Sequence, residues 1–176
     1  MIGGIYFHFR YERGEQKLPE LQEYPLVSVM VPAHNEAEHI AETINCLVKN
    51  RYPNLEIIVI DDGSKDTTAA VITGLAFKHP RVRSLILKQN MGKAAALSHG
   101  LMLTKGDILV CIDADCLLDK NAIFWIVNHF ERFPRVGAVT GNPRVRNRTT
   151  LLAKLQTAEY SSVIGLIKRT QRLLGK

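Results

Sequence analysis

The residues of this chain that could do chemistry are mainly acidic, and they form three short clusters. The clusters read HNE at residues 34–36, DDGS at 61–64 and DAD at 113–115. Carboxylates gathered at one place repel one another unless a cation or hydrogen-bond donors neutralise them. Mg²⁺ is usually bound by one or two carboxylates together with substrate phosphates, and Mn²⁺ also prefers oxygen ligands. The clusters therefore predict a site for Mg²⁺ or Mn²⁺ and a phosphorylated ligand, if the fold brings them together.

Asp113 and Asp115 form the most specific of these clusters. Residues two apart in an extended segment point the same way, so both carboxylates can address one ion. The alternative is that such acids only form turns and caps where strands meet helices. For Asp61 and Ser64 the two interpretations have equal weight, but a turn needs no second acid at 113–115. We therefore predict that this pair faces a bound cation.

Two further motifs could contact a phosphate or a flat ring. Gly92 and Lys93 open a predicted helix, where backbone N–H groups and a cation suit a phosphate, although helices also begin this way without a ligand. His34 could stack on a planar ring, or it could simply be solvated. No G-x-G-x-x-G follows the first predicted strand and no Walker lysine motif occurs. A dinucleotide site is therefore disfavoured.

Apolar patterns typical of strands and helices alternate from residue 26 onward. The strands are continuous apolar runs, which predicts a parallel sheet buried between helices. Right-handed crossovers place the carboxyl ends of the strands at one edge, where ligands bind in open α/β sheets. The predicted fold class is thus α/β and doubly wound, with a mostly parallel sheet and helices on both faces. The predicted strands are 26–31, 55–60, 82–87, 107–112 and 136–140, and the predicted helices are 37–49, 66–79, 90–103 and 119–132.

The two ends of the chain differ from its middle. With 176 residues, 46% of them hydrophobic, the chain suffices for one compact domain, predicted at 26–148. Residues 1–25 are irregular, either the stub of an upstream membrane helix or a frayed end. Residues 149–176 are basic and amphipathic, and this predicted helix could lie on an anionic membrane or pack on the sheet. Nucleic acid is not expected as a partner, since no recognition motif accompanies the charge.

The three cysteines form no CxxC pair, which fits a reducing compartment. Cys46 falls in a helical pattern and Cys111 in a strand that is apolar at successive positions. Both are therefore predicted to be small residues of the core.

Four segments in a fixed order resemble the family 2 glycosyltransferases of the GT-A fold. They are VSVMVPAHNEAEHIAETINCL, EIIVIDDGSKDTT, QNMGKAAALSHGL and ILVCIDADCLLD. The shared order and spacing of four motifs is much more specific than a single D-x-D. The sequence from residue 136 onward is similar to the bacterial synthases of poly-β-1,6-N-acetylglucosamine, a group within this family. The resemblance covers approximately residues 25–176.

The resemblance implies an inverting, metal-dependent transfer of a sugar to a growing β-linked polysaccharide. The donor would be UDP-N-acetylglucosamine, with Mg²⁺ or Mn²⁺ as cofactor. Other UDP-sugars, as in cellulose, chitin and hyaluronan synthases, or the addition of a single sugar are alternatives. A non-catalytic nucleotide-binding module is a further one.

The resemblance also assigns roles to positions in this sequence. His34 would lie near the base, Glu36 near the ribose and Asp62 at the uracil ring. Asp113 would lie near the ribose and diphosphate and, with Asp115, at the metal. The donor-binding residues would be Pro32, Ala33, His34, Asn35, Glu36, Asp61, Asp62, Gly92, Lys93, Asp113 and Asp115, and the acceptor-side residues Thr140, Gly141 and Asn142.

The chain departs from the family in its acceptor half. The T/S-E-D motif that carries the catalytic base and the Q-x-x-R-W motif are not found in it. The catalytic base is therefore unassigned, and the chain is expected to be a donor-binding fragment that is nearly inactive alone. The family implies that the full protein works at the cytoplasmic face of the bacterial inner membrane. Membrane helices outside this chain would anchor it there, with room for a small membrane partner subunit.

Overall fold

The structure is a computed structural model that describes residues 18–141 and Leu155. Within that range, residues 18–135 form one compact unit of alternating strands and helices. The strands all run parallel, in the spatial order β3-β2-β1-β4. The elements are β1 Val27–Ala33, α1 Ile40–Val48, β2 Leu55–Asp61, α2 Thr68–Lys78, β3 Val82–Ile86, α3 Lys93–Leu101, β4 Ile108–Cys111 and α4 Ala122–Arg132.

The two central strands form the core because they are apolar on both faces. β1 is buried at every position, and β2 is buried everywhere except at the half-buried Glu56. One face, including Val29 and Val59, packs against α1, α2 and α4, and the other face, including Ile58, packs against α3. The predicted α/β fold with helices on both faces is therefore confirmed. The sheet brings the carboxyl ends of its strands to one edge.

Glu56 links the strands at their amino-terminal ends, opposite the edge where their carboxyl ends meet. Its carboxylate accepts hydrogen bonds from the Ser28 hydroxyl and from the backbone N–H of Lys105, both at 2.6 Å. It also lies 3.6 Å from the guanidinium of Arg83. Burial alone would raise the pKa of Glu56, but these hydrogen bonds and the nearby cations outweigh burial, and the pKa lies below its usual value.

The described part of the N-terminal segment packs on α4. Tyr24, Tyr52 and Phe124 form an aromatic cluster with ring centroids 5.4 to 6.2 Å apart. The Tyr52 hydroxyl donates to the Pro25 carbonyl at 2.8 Å, and burial raises the pKa of Tyr52 to about 12. Glu131 accepts from two backbone N–H groups of the same segment. Residues 18–25, although irregular as predicted, are thus held by specific contacts.

β4 is less buried than its sequence predicted. The apolar run at 107–112 indicated a strand covered on both faces, yet Leu109 is 44% exposed and Cys111 is exposed as well. β4 is an edge strand of the described sheet, and α3, the helix on that face, packs mainly on β1 and β2. The prediction that Cys111 is a core residue was therefore wrong. Cys46 is half-buried and donates to the Leu118 carbonyl.

The predicted fifth strand is not formed. Residues 136–140 have no strand hydrogen bonding in the described structure. Gly137 interrupts the short apolar run, and it and Ala138 are exposed. Since a glycine weakens a strand and no continuous apolar face is buried here, the run does not form a strand by itself.

Two predicted segments fall mainly outside the described residues. One is the N-terminal segment 1–25, which is described only from residue 18 onward. The other is the amphipathic helix at 149–176, of which only Leu155 is described, as helical and exposed. Among the described residues, none of the helices has the length and hydropathy needed to cross a membrane.

Candidate active site

The carboxyl ends of β1, β2 and β4 and the start of α3 surround an open cavity of about 360 Å³. Cavities that bind small molecules typically have volumes of about 300–1,000 Å³. All the predicted donor-binding residues except Asn35 and Asp61 line it. The lining residues are Pro32, Ala33, His34, Glu36, Asp62, Asn90, Gly92, Lys93, Asp113, Ala114 and Asp115.

Asp62 lines the cavity and also holds the neighbouring loop. Its carboxylate accepts hydrogen bonds from the backbone N–H groups of Met91 and Gly92, both at 2.8 Å. Its own N–H donates to the Ala33 carbonyl, also at 2.8 Å. The side chain is almost fully buried by these contacts. Asp62 therefore fixes the entry to α3 relative to the end of β1.

Gly63 allows the loop after β2 to lie directly against the loop before α3. Its φ is +63°, and a Cβ there would lie 2.4 Å from the carbonyl carbon of Gln89 and 2.5 Å from the nitrogen of Asn90. No side chain fits, so the glycine of the DDGS motif is needed for this close approach. Asn90, brought to the cavity by this contact, was missed by the sequence analysis. Its place just after a predicted strand was the available signal.

Asp61 has the contacts of a turn residue. It is 1% exposed, and one carboxylate oxygen accepts from the backbone N–H of Ser64 at 3.2 Å. The other oxygen has no hydrogen-bond partner among the described residues. Asp61 is buried and does not line the cavity, which matches the turn-forming alternative for this residue.

His34 and Asn35 join the loop after β1 to the loop after β2. His34 Nδ1 lies 2.8 Å from the Asp62 carbonyl oxygen, and its Nε2 lies 3.1 Å from the side-chain nitrogen of Asn35. Asn35 has a positive φ of 55°. Its oxygen accepts from the N–H of Lys65, and its own N–H donates to the Ser64 hydroxyl, both at 2.9 Å. His34 lines the cavity, whereas Asn35 does not line it and contacts His34 through its side-chain nitrogen.

α1 positions the acidic pair at the end of β4. The buried Thr43 hydroxyl donates to the Ala114 carbonyl at 2.7 Å, which anchors the residue between the two aspartates. The N–H of Cys116 donates to the Asp113 carbonyl and closes a turn. Asp113, Asp115 and Cys116 place one ligand atom each within 4.8 Å of one another, and all three are exposed.

The donor set of this cluster suits a hard divalent cation. Burial, together with the charge of Asp115, raises the pKa of the Cys116 thiol, so the thiol is protonated at neutral pH. For a hard ion such as Mg²⁺ or Mn²⁺, the two carboxylates are more suitable ligands than the sulfur, which suits softer metals. Carboxylate oxygens are the ligands that Mg²⁺ and Mn²⁺ prefer. The predicted pair therefore fits such an ion.

Lys93 pairs with the acid cluster from across the cavity. Its ammonium forms an ion pair with Asp113. This hydrogen bond raises the pKa of Lys93, against the opposing effect of burial. The cavity thus combines the carboxylates of Asp113 and Asp115 with one ammonium and the N-terminal end of α3, which suits a diphosphate held together with a cation.

The predicted acceptor-side residues are not part of the compact unit. Thr140 and Gly141 are exposed, and Asn142 lies outside the described residues. Their role at the acceptor stays a prediction.

Sequence comparisons identify relatives along the whole chain. The family model described as Glycosyl transferase family 2 matches residues 28–175. Poly-beta-1,6-N-acetyl-D-glucosamine synthase of Staphylococcus epidermidis is 38% identical over 179 aligned residues, covering 99% of this chain and 43% of that protein. The synthase of the same name from Staphylococcus aureus strain COL is 37% identical with the same coverage. The chain therefore spans less than half the length of these relatives.

Solved structures of similar fold include two nucleotide-sugar complexes. The mannosyltransferase PcManGT of Pyrobaculum calidifontis, in complex with GDP-Man and Mn²⁺, is 29% identical with a TM-score of 0.55 over 70% of this chain and 40% of that one. S. aureus TarS 1-349, in complex with UDP-GlcNAc, is 21% identical with a TM-score of 0.57 over 69% of this chain and 38% of that one. The likeness to TarS shows the fold alone.

Proposed function

Because this chain belongs to glycosyl transferase family 2, we propose that its cavity binds a UDP-sugar, with N-acetylglucosamine as the sugar. The protein of which it represents the donor-binding part would transfer that sugar, with inversion, to a growing β-linked polysaccharide. The similarity to the two staphylococcal synthases supports this choice of donor and product.

One observation carries the proposal: motifs far apart in the sequence meet at one cavity. His34 and Glu36 come from the loop after β1, Lys93 from the start of α3, and the two aspartates from the end of β4. Together these residues offer partners for a planar ring, a ribose and a diphosphate within one cavity. A dinucleotide fold would instead place a glycine-rich turn after β1, where this chain has PAHNE.

Asp113 and Asp115 would hold Mg²⁺ or Mn²⁺ beside the diphosphate. When bound, such an ion supplies Lewis-acid stabilisation of the negative charge that grows on the UDP leaving group. Lys93 and the N-terminal end of α3 add positive charge on the same side. Attack on the opposite face of the sugar needs a carboxylate base, and we assign no residue of this chain to that role.

The proposed protein would work at the cytoplasmic face of a bacterial inner membrane. The support is the cluster of basic residues in the last quarter of the sequence, which would favour an anionic lipid surface. These residues are Arg144, Arg146, Arg148, Lys154, Lys168, Arg169, Arg172 and Lys176.

Isothermal calorimetry on the full chain tests the donor proposal. UDP, UDP-GlcNAc, UDP-glucose, UDP-glucuronate and GDP-mannose are titrated with Mg²⁺, with Mn²⁺ and without metal. We expect metal-dependent binding of UDP and the tightest binding for UDP-GlcNAc. Asp115→Asn should weaken UDP binding by about tenfold or more, the factor that corresponds to about 1.4 kcal/mol.

Asp107→Asn is the matched control, since Asp107 is an exposed aspartate just before the opposite end of β4. It should leave UDP binding unchanged. Binding of GDP-mannose in preference to every UDP-sugar would overturn the uridine assignment. A preference for UDP-glucose or UDP-glucuronate would overturn only the choice of sugar.

A further inference from the structure

Hydrogen bonds link the Lys65 N–H, the Asn35 side chain, the His34 ring and the Asp62 carbonyl in a chain. The two end groups determine which atom donates in each of these bonds. At one end the backbone N–H of Lys65 can only donate, so the oxygen of the Asn35 amide must face it. The amide nitrogen of Asn35 then faces His34 Nε2 and donates to it. At the other end the Asp62 carbonyl can only accept, so His34 Nδ1 must carry the proton. Both ends demand the same neutral form of the imidazole.

We propose that Asn35 is a positioning residue that fixes His34 as the neutral Nδ1–H tautomer and presents its ring as a flat wall of the cavity. Both ring nitrogens are engaged, so in this state His34 is neither a metal ligand nor a proton acceptor. A ligand that contacts His34 therefore meets the carbon atoms and faces of the ring and not its nitrogens. The tautomer assignment stands by itself, and the identity of the stacked ring, a nucleobase, rests on the proposed function.

The backbone at Asn35 is suited to this task. Its positive φ of 55° is a conformation that asparagine adopts more readily than most residues. That conformation turns the side chain toward both Lys65 and His34, while the Asn35 N–H is held by the Ser64 hydroxyl. The bond from Lys65 thus sets which end of the Asn35 amide faces the imidazole, and the bond to Ser64 adds only to the hold on the Asn35 backbone.

A neutral ring also suits the electrostatics of the cavity. Lys93 and the acid pair line the same cavity as His34. A neutral His34 adds no charge that would compete with Lys93 or with a cation for the carboxylates. A planar neutral side chain can stack on a base without such competition.

The test is the tautomer of His34 in the full chain without any ligand, read from long-range ¹H–¹⁵N correlations of the imidazole at neutral pH. The wild type should show a protonated Nδ1 and an unprotonated Nε2. Asn35→Asp keeps an acceptor for Lys65 and tolerates the positive φ, but it presents an oxygen to Nε2. We expect a proton on Nε2 in this variant.

Ser64→Ala is the matched control, because it removes the hydrogen bond from the Asn35 backbone N–H to Ser64 but keeps both hydrogen bonds of the Asn35 side chain. It should leave the Nδ1–H signature as in the wild type. A wild-type ring protonated at Nε2, or an Asn35→Asp variant with an unchanged signature, overturns the proposal. Backbone amide spectra of each variant establish that it is folded.

Binding of UDP tests the stacking role separately. His34→Ala should weaken binding by at least about fivefold, the lower end of the effect of losing one base–aromatic stack. Asn35→Gly keeps the positive φ without the amide and should also weaken it. The double variant should be no weaker than His34→Ala, because Asn35 acts through His34. Additive losses would overturn this coupling, whereas a wild-type chain that binds no UDP overturns the proposed function and leaves the tautomer result standing.

Discussion

Replacing Asp62 by asparagine should destabilise the protein even when no ligand is present. In the structure both oxygens of this nearly buried carboxylate accept backbone N–H groups at 2.8 Å, one from Met91 and one from Gly92. An asparagine can accept only one of these bonds. Its amide nitrogen would face the second N–H, which loses this bond. If that group is the Gly92 N–H, it keeps only its bond to the Asn90 side-chain oxygen at 3.1 Å.

The cost follows from the two bonds. A hydrogen bond to a charged group adds about 1.5–3 kcal/mol to stability, and a neutral one about 0.5–1.5 kcal/mol. Losing one charged bond and converting the other to a neutral one therefore gives a loss of about 2–4 kcal/mol. In a compact unit of this size, residues 18–135, a loss of about 1 kcal/mol lowers the melting temperature by about 4 °C. The expected decrease is therefore roughly 8–16 °C.

Thermal and urea unfolding followed by circular dichroism, without nucleotide or metal, measures this loss. Asp113→Asn is the control, because Asp113 lines the same cavity but is exposed, and its side chain forms a surface ion pair with Lys93. An exposed ion pair adds about 0–1 kcal/mol, so this variant should melt within about 4 °C of the wild type. Equal melting temperatures for the two variants would refute the structural role of Asp62.

Three further changes test other parts of the structure. Gly63→Ala should cost at least about 2 kcal/mol in urea unfolding, because the added Cβ meets the backbone of the next loop, whereas Gly74→Ala in α2, where a Cβ meets nothing within 4 Å, should be neutral or stabilising. Lys93→Met should tighten binding of Mn²⁺ alone by about twofold to fivefold, because the ammonium no longer competes for Asp113. Electron paramagnetic resonance measures this binding, and weaker Mn²⁺ binding would contradict the competition. The same variant should weaken UDP binding. Because the pKa of Glu56 is lowered in the folded state, the stability that its charge adds is present above its ordinary pKa of 4.5 and lost as the pH falls through the folded value. The urea midpoints of wild type and Glu56→Gln should therefore differ at neutral pH and converge in acid, and a constant difference would contradict the assignment.

The order of the elements could be predicted from the sequence because the central strands carry their signal locally. β1 and β2 are apolar at nearly every position and are buried on both faces, so a run of apolar residues was sufficient. β4 shows where this inference ends. Its residues 108–111 are as apolar as those of β1, but their exposure depends on which helix covers that face of the sheet. The four residues of the strand themselves carry no information about that helix.

The failure at 136–140 has a related cause. A strand needs a neighbouring strand for its hydrogen bonds, and β propensity depends strongly on that context. The run VGAVT contains a glycine that leaves little apolar surface to bury. Its composition indicated a strand, but the structure leaves Gly137 and Ala138 exposed and without strand pairing.

The cavity could be predicted as a set of residues but not as a set of roles. Parallel topology is sufficient to bring the three acidic clusters to one edge, and all but Asn35 and Asp61 among the predicted donor-binding residues line the cavity. Which side of a loop each residue occupies depends on turn geometry. The tight turn from Asp61 to Ser64 buries the first aspartate of DDGS and leaves the second at the cavity.

The motif residues hold the loops as well as lining the cavity, and this explains why the two roles are hard to separate in a sequence. Asp62 binds the loop before α3, Asn35 binds the loop after β2, and Thr43 binds the segment between the two aspartates. Each of these bonds joins a side chain to a backbone group of another loop, so the arrangement of the cavity does not depend on a ligand. A substitution at such a residue changes stability and affinity together. Affinity alone should change only at residues whose side chains make no such bond, and the exposed carboxylate of Asp115 is the clearest position at which to measure it.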